Sequence, residues 1–212
     1  MKDRMKFAGS VLILFVTLTL AGIFFISGFM SDYVWLNVIL TVVYMLICGG
    51  ASFYTGLQRG TADCKYTRLI EKQMKERSYQ PDENEKQKFF RKEKGFVAGG
   101  IAGSLGILAA LVCLFCFGHV PSILTVITRF ILGTYLCVFQ FIPDVGAWIY
   151  LPMALLWPAL VGIGYLRGPK MWEKTVSSIE KAKKDKLRKI NRDRKKKKLQ
   201  KELEKHQSYS SK

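Results

Sequence analysis

Five apolar stretches dominate this chain: Phe7 to Met30, Val34 to Thr55, Gly95 to Phe117, Val120 to Ile142 and Ala147 to Leu166. A helix rising about 1.5 Å per residue needs roughly 20 such residues to match a hydrocarbon core of about 30 Å. Arg129 alone carries a formal charge inside any of them. A water-soluble core helix would return a polar residue to its outer face every turn, and these stretches do not. Half of the residues are hydrophobic, yet the net charge is +17. The two properties are segregated into separate blocks rather than mixed. The sequence therefore predicts an all-α, polytopic membrane helical bundle. The first stretch follows Lys2, Arg4 and Lys6 and has 24 residues. That is longer than a signal-peptide core and lacks a small-residue cleavage pattern, so it reads as a retained span.

Basic residues favour the cytoplasmic side of short loops. Three precede the first span, eleven lie between Arg59 and Lys94, and eighteen lie between Arg167 and Lys212. The links at Ser31–Tyr33 and Gly118–His119 hold none. Both chain ends and residues 57–94 are thus expected in the cytoplasm of a cell-membrane protein, which requires an even number of crossings. One of the five stretches must fail to cross, and Val120 to Ile142 is the candidate. Pro121 and Pro143 bracket it, Gly133 interrupts it and Arg129 sits near its middle. A charge at the bilayer centre costs at least about 2.5–3.5 kcal/mol. A re-entrant or interfacial element on the outer side avoids that cost and is tolerated when protein or water covers it. Tyr33, Trp35, Trp148 and Tyr150 fall near the outer face of this arrangement, and Tyr54, Tyr165 and Trp172 near the inner one, as aromatic belts do.

Four regions follow: a hairpin of two spans over 1–56, a cytoplasmic helical hairpin over 57–94, a second pair of spans over 95–167 with the outer element at 120–142, and a basic tail over 168–212. In the cytoplasmic hairpin, Arg59 to Arg77 carries Tyr66, Leu69, Ile70 and Met74 on one stripe. Ser78 to Pro81 breaks it, and Asp82 to Lys94 is expected to resume as helix. The tail reads as a charged helix, about 57 Å long if continuous to His206. Its run Arg194, Lys195, Lys196, Lys197 and Lys198 is drawn to anionic lipid headgroups at about 1 kcal/mol per basic residue. Nucleic acid or a ribosome is a second class of partner for such a tail, but no aromatic residue interleaves the bases to stack on a nucleobase.

Gly95, Gly99 and Gly103 recur every fourth residue, as do Ala98, Ala102 and Gly106. Small residues at this spacing let helix backbones approach closely. The pattern fits packing within one chain or a homo-oligomer equally well. Arg59 and Asp63, four apart on a helix, can pair at the inner interface. His119 and His206 are the only histidines and lack partners at metal-ligand spacing, so no metal or cofactor is expected.

Three resemblances attach to these residues. Gly56-Leu-Gln-Arg59-Gly60-Thr-Ala-Asp63 and Gly164-Tyr165-Leu-Arg167-Gly168 resemble junctions in uncharacterised multi-pass proteins of Gram-positive bacteria, which imply no function. Cys113-Leu-Phe-Cys116, with Arg129 and Cys137 nearby, looks somewhat like DsbB-type and vitamin K epoxide reductase-type enzymes, implying thiol–quinone electron transfer; their second cysteine pair has no counterpart beyond Cys137. The order of cytoplasmic hairpin, outer hairpin and basic tail is similar to YidC-type membrane insertases, although the first span is extra and Arg129 lies outward. The reading favoured by the residues is a non-enzymatic membrane subunit or scaffold, with lipid and a partner subunit or second copy as its contacts.

Overall fold

A computed structural model describes residues 2–29, 33–77, 79–116, 122–141 and 147–210. The elements are α1 (Lys2–Phe29), α2 (Val34–Arg77), α3 (Glu83–Lys86), α4 (Lys94–Phe115), α5 (Ser122–Ile131), a 3-10 turn at Gly133–Tyr135, α6 (Leu136–Phe141), a 3-10 turn at Ala147–Ile149, and α7 (Tyr150–Ser210). Among the described residues there is no strand. Four helices are long and apolar enough to cross a membrane, within Asp3–Phe25, Val34–Arg77, Lys94–Phe115 and Tyr150–Asp193. The links at 30–32, 117–121 and 142–146, with Pro121, Pro143 and His119, lie outside the described residues.

The apolar stretch from Val120 to Ile142 is not one helix. Ser122–Ile131 and Gly133–Phe139 meet at 90°. Gly133 makes the bend possible through close approach: a Cβ there would collide with the Thr19 side chain of α1. Tyr135 OH donates to the Met153 carbonyl at 2.7 Å, and Trp157 Nε1 donates to Thr134 Oγ1 at 2.9 Å. The Tyr135 and Trp157 rings stack 5.2 Å apart. These contacts bury the bend, with Leu132, Thr134, Tyr135, Cys137 and Phe139 all shielded. A buried break in a helix is tolerated when its polar groups find partners in this way.

The hairpin expected over 57–94 takes a different form. α2 continues unbroken to Arg77, but Asp82 to Lys94 forms a single turn of helix at α3 and then irregular turns. The reason is anchoring. The Phe90 N–H donates to Thr67 Oγ1 at 2.8 Å, and its ring stacks on Tyr165 at 5.0 Å with planes 4° apart. Phe89 packs beside Tyr66 at 6.3 Å. A straight helix would carry these rings away from the bundle. The apolar stripe on α2 also divides: Ile70 is buried, whereas Leu69 and Met74 stay exposed.

Two small-residue seams hold the helices together. On α2 and α7, Gly56 and Gly60 face Gly164 and Gly168. A Cβ on Gly56 would strike the Val161 carbonyl, one on Gly60 the Tyr165 carbonyl, one on Gly164 the Phe53 carbonyl and one on Gly168 the Gly60 backbone. Backbones this close admit no side chain. On α4, Gly95 faces Tyr165, and Gly99 and Gly103 face Pro158 of α7. Ala98 and Ala102 are buried with Phe7, Ala8 and Val11 of α1. Gly106 lies against Leu132. The α4 face that the sequence leaves open to self-association is thus occupied within the chain.

Pro152 sits in the first turn of α7, where its missing N–H costs nothing, while Pro158 and Pro169 lie inside the helix. The chain divides into two units, 1–169 and 170–212. The described residues from Ser177 to Asp193 in the second unit are all exposed, including Ile179, Leu187 and Ile190. A helix polar on every side has no face of its own to bury.

Candidate functional site

Four helix segments contribute charged or hydroxyl groups to one buried cluster. Asp3 comes from the first turn of α1. Arg59 and Asp63 lie one turn apart on α2, Lys94 opens α4, and Tyr165 lies in α7. Lys94 Nζ is 2.5 Å from Asp3 Oδ2 and 2.5 Å from Asp63 Oδ2, and it donates to the Gln87 carbonyl at 3.2 Å. An ammonium has three protons, so its donor capacity is filled. Arg59 Nη2 is 2.5 Å from Asp3 Oδ1, and Arg59 Nε is 3.1 Å from Asp63 Oδ1. Tyr165 OH donates to Asp63 Oδ2 at 2.9 Å.

Charge balances within the cluster, two carboxylates against two cations. Burial is deepest at Lys94 and Asp63, with side-chain exposures of 1% and 5%, while Arg59 at the margin keeps 32%. Taking such groups out of water costs several kcal/mol per ion, and only good geometry and full hydrogen bonding offset it. Here the geometry is closed by aromatic rings. Phe7 approaches Tyr165 at 5.9 Å, and the Arg59 guanidinium lies 5.8 Å from the Phe7 ring centre. Phe90 covers the opposite face of Tyr165. Outside this lid, Arg4 and Glu93 form an exposed pair at 3.6 Å, a class of contact that contributes little.

Sequence reasoning singled out Arg59 and Asp63 but missed Asp3, Lys94 and Tyr165. Lys94 was one base among many in a charged loop, and Tyr165 was one of several interfacial aromatics. The missed signal was Asp3, an acid set among Lys2, Arg4 and Lys6 at the foot of a span. Positive-inside sorting favours bases there, so a lone acid asks for a partner.

Arg129 lies at the other end of the bundle. Its Nε donates to Tyr150 OH at 3.1 Å, and its guanidinium stands 5.4 Å over the Phe139 ring. The neighbouring Thr128 hydroxyl is 3.1 Å from Cys113 Sγ. Cys113 is 19 residues beyond Lys94 on α4, about 28 Å along the helix axis. The structure therefore does not bring Arg129 together with Arg59 and Asp63. Tyr150 and Tyr165, assigned above to interfacial belts, are buried, and each hydroxyl meets a charged side chain, half-buried Arg129 for Tyr150 and buried Asp63 for Tyr165. Tyr33, Trp35, Trp148 and Tyr54 remain exposed.

All five cysteines are free thiols, Cys116 half-buried and the others buried. Among the described residues no three of His, Cys, Asp and Glu could hold a metal ion together. Lys195 is exposed on α7, while Arg194, Lys196, Lys197 and Lys198 lie outside the residues whose side chains are described. No protein-family model, curated protein or solved structure matches the chain.

Proposed function

We propose that this chain is a four-span integral membrane protein of the cell membrane, acting as a non-enzymatic subunit or scaffold whose basic tail engages anionic lipid from the cytoplasmic side. One observation carries the reading: the ion cluster gathers the start of α1, the end of the apolar part of α2, the start of α4 and the end of the apolar part of α7. Helices whose alternate ends meet in this way run up, down, up and down. Residues between Cys116 and Tyr150 then begin and end on the opposite side. The bent element enters from that side and returns to it. Its bend touches Gly106, about 18 Å along α4 from Lys94, so it dips without crossing. This supports the even count that the basic residues demand.

The outer surface supports the same reading. Ile13, Phe24, Val38, Leu46, Leu105, Ile123 and Val126 are exposed on the long helices and α5, while the charged cluster is inside. That polarity suits hydrocarbon rather than water. The scaffold role rests on how the reactive groups are used: the ionic side chains of the cluster are engaged with one another, which favours a locked frame over a site awaiting substrate. Exposed bases on the tail favour attraction to phosphatidylglycerol-like headgroups.

Two experiments test this. In a cysteine-free background, a single cysteine at Asp144 should label with an impermeant thiol reagent on intact cells, and one at Lys212 should not. Labelling at Lys212 in intact cells overturns the topology. In proteoliposomes with outward-facing tails, anionic lipid should slow tryptic cleavage of residues 170–212, and salt should reverse the protection. Equal cleavage in neutral and anionic vesicles removes the lipid role.

A further inference from the structure

A cavity of about 320 Å³ lies among α1, α4, the bent element and α7. Its volume falls at the small end of the roughly 300–1,000 Å³ typical of small-molecule sites. Leu12, Val16 and Leu20 of α1 and Leu105 of α4 form its rim with Phe130 of α5, and Trp157 of α7 lies at its floor. The rim residues are 48–63% exposed, whereas Trp157 is buried. The cavity therefore opens sideways onto the apolar exterior. The α4 wall is recessed because Gly103 and Gly106 carry no side chain there.

We propose that this cavity binds one hydrocarbon chain of a membrane lipid, drawn from the leaflet remote from the ion cluster. The proposal rests on the bilayer-spanning reading above. Depth selects the leaflet: the α1 residues lining the cavity run from Leu12 to Ile23, about 14 to 30 Å along the helix from Asp3. Chemistry selects the ligand. No charged side chain lines the cavity. The polar atoms at its floor are engaged, Trp157 Nε1 with Thr134 and Tyr135 OH with the Met153 carbonyl. A polar ligand would surrender its hydration there without compensation, and apolar cavities of this kind stay dry. Size selects a chain over a partner helix or a second copy, because a helix about 10–12 Å across with its side chains fills roughly 400 Å³ or more in a single 5.4 Å turn, beyond the cavity's 320 Å³. The rim is continuous with the lipid-facing surface, so a hydrocarbon chain enters without crossing a polar barrier.

Tryptophan quenching tests the proposal in purified full-length protein reconstituted into phosphatidylcholine vesicles with mid-chain brominated acyl groups. Two single-tryptophan forms are compared. One keeps Trp157 and carries Trp35→Phe, Trp148→Phe and Trp172→Phe. The other keeps the exposed Trp35 and carries Trp148→Phe, Trp157→Phe and Trp172→Phe. Both tryptophans should be quenched by brominated lipid to a similar fraction. Plugging the recess with Gly106→Leu, where a Cβ would sit 3.3 Å from Leu132 Cδ2, should restore Trp157 emission and leave Trp35 quenched. Val16→Phe, on the exposed rim, is the second plug should Gly106→Leu fail to fold. Quenching of Trp35 with Trp157 protected overturns the chain site, whether the groove is empty or covered by a second copy. Quenching of Trp157 that neither plug reduces also overturns it. Failure to quench Trp35 at all overturns the bilayer-spanning reading itself.

Discussion

At the end of the bundle holding both α1's start and α4's start, Lys94 is enclosed by two carboxylates and a carbonyl, with Arg59 completing a neutral quartet. At the other end, Arg129 leans on a tyrosine hydroxyl and an aromatic face, and the polar groups of the bend are satisfied by neutral hydrogen bonds. Both ends hide polar groups within an apolar surround. They differ in the chemistry of the contacts, carboxylates against cations at one end and a cation against a hydroxyl and an aromatic ring at the other. In the quartet each carboxylate serves two cations, so removing one leaves two charges short. Arg129 donates to the Tyr150 hydroxyl at 3.1 Å, so its removal leaves a neutral hydroxyl behind there. An ionic network locks four helix ends into one register, whereas the far end tolerates a broken helix.

Substitutions separate the two ends. Asp63→Asn should have the largest effect, because it strips a charge from both Lys94 and Arg59. Breaking a buried ion pair costs about 3–5 kcal/mol, read as the midpoint of unfolding in mixed detergent micelles. Adding Lys94→Met to Asp63→Asn should recover part of that loss. A double variant less stable than Asp63→Asn would mean the network is not the source.

Gly60→Leu comes next. Its side chain cannot fit against the Tyr165 backbone, and overpacking of this kind costs about 1–3 kcal/mol or more. The same assay should place it between Asp63→Asn and the variants of the far end. Stability equal to the parent would argue that α2 and α7 do not cross there.

Arg129→Gln should cost less than Asp63→Asn, about 1.5–3 kcal/mol, the worth of a hydrogen bond made by a charged group. Should it match Asp63→Asn, the contrast drawn between the two ends collapses. Smallest of all is Glu93→Gln, which removes the exposed contact with Arg4; about 0–1 kcal/mol is expected, within the scatter of replicate unfolding curves. A larger loss would extend the buried network outward past Phe90.

How much of this was legible beforehand varies by element. The long apolar stretches announce themselves, because a spanning helix needs every side chain to tolerate hydrocarbon and no periodic polar face obscures the signal. The interruption at Gly133 was legible too, as a glycine in a stretch that already held Arg129. The Arg59 and Asp63 pair could be seen because helical spacing is local. Gly56-x-x-x-Gly60 and Gly164-x-x-x-Gly168 carried the same spacing as the α4 glycines, yet their meaning as one crossing depended on two segments about a hundred residues apart in sequence. Asp82 to Lys94 misled because its composition favours helix; Phe89, Phe90 and Lys94 gain more by reaching Tyr66, Tyr165 and the two aspartates than the backbone gains by remaining helical.

The sequence alone determined that the chain is helical, that its charged and apolar parts are separated, and that four or five segments suit a bilayer, since these depend on residue type and local period. Only the tertiary structure decided which charges share a site. Asp3, Asp63 and Lys94 are dispersed along the chain, and nothing local distinguishes them from their solvated neighbours. Their pairing follows from the small-residue seams, which draw the helices close enough that Lys94 and Asp63 are shut off from water and must each find a counterion on another helix.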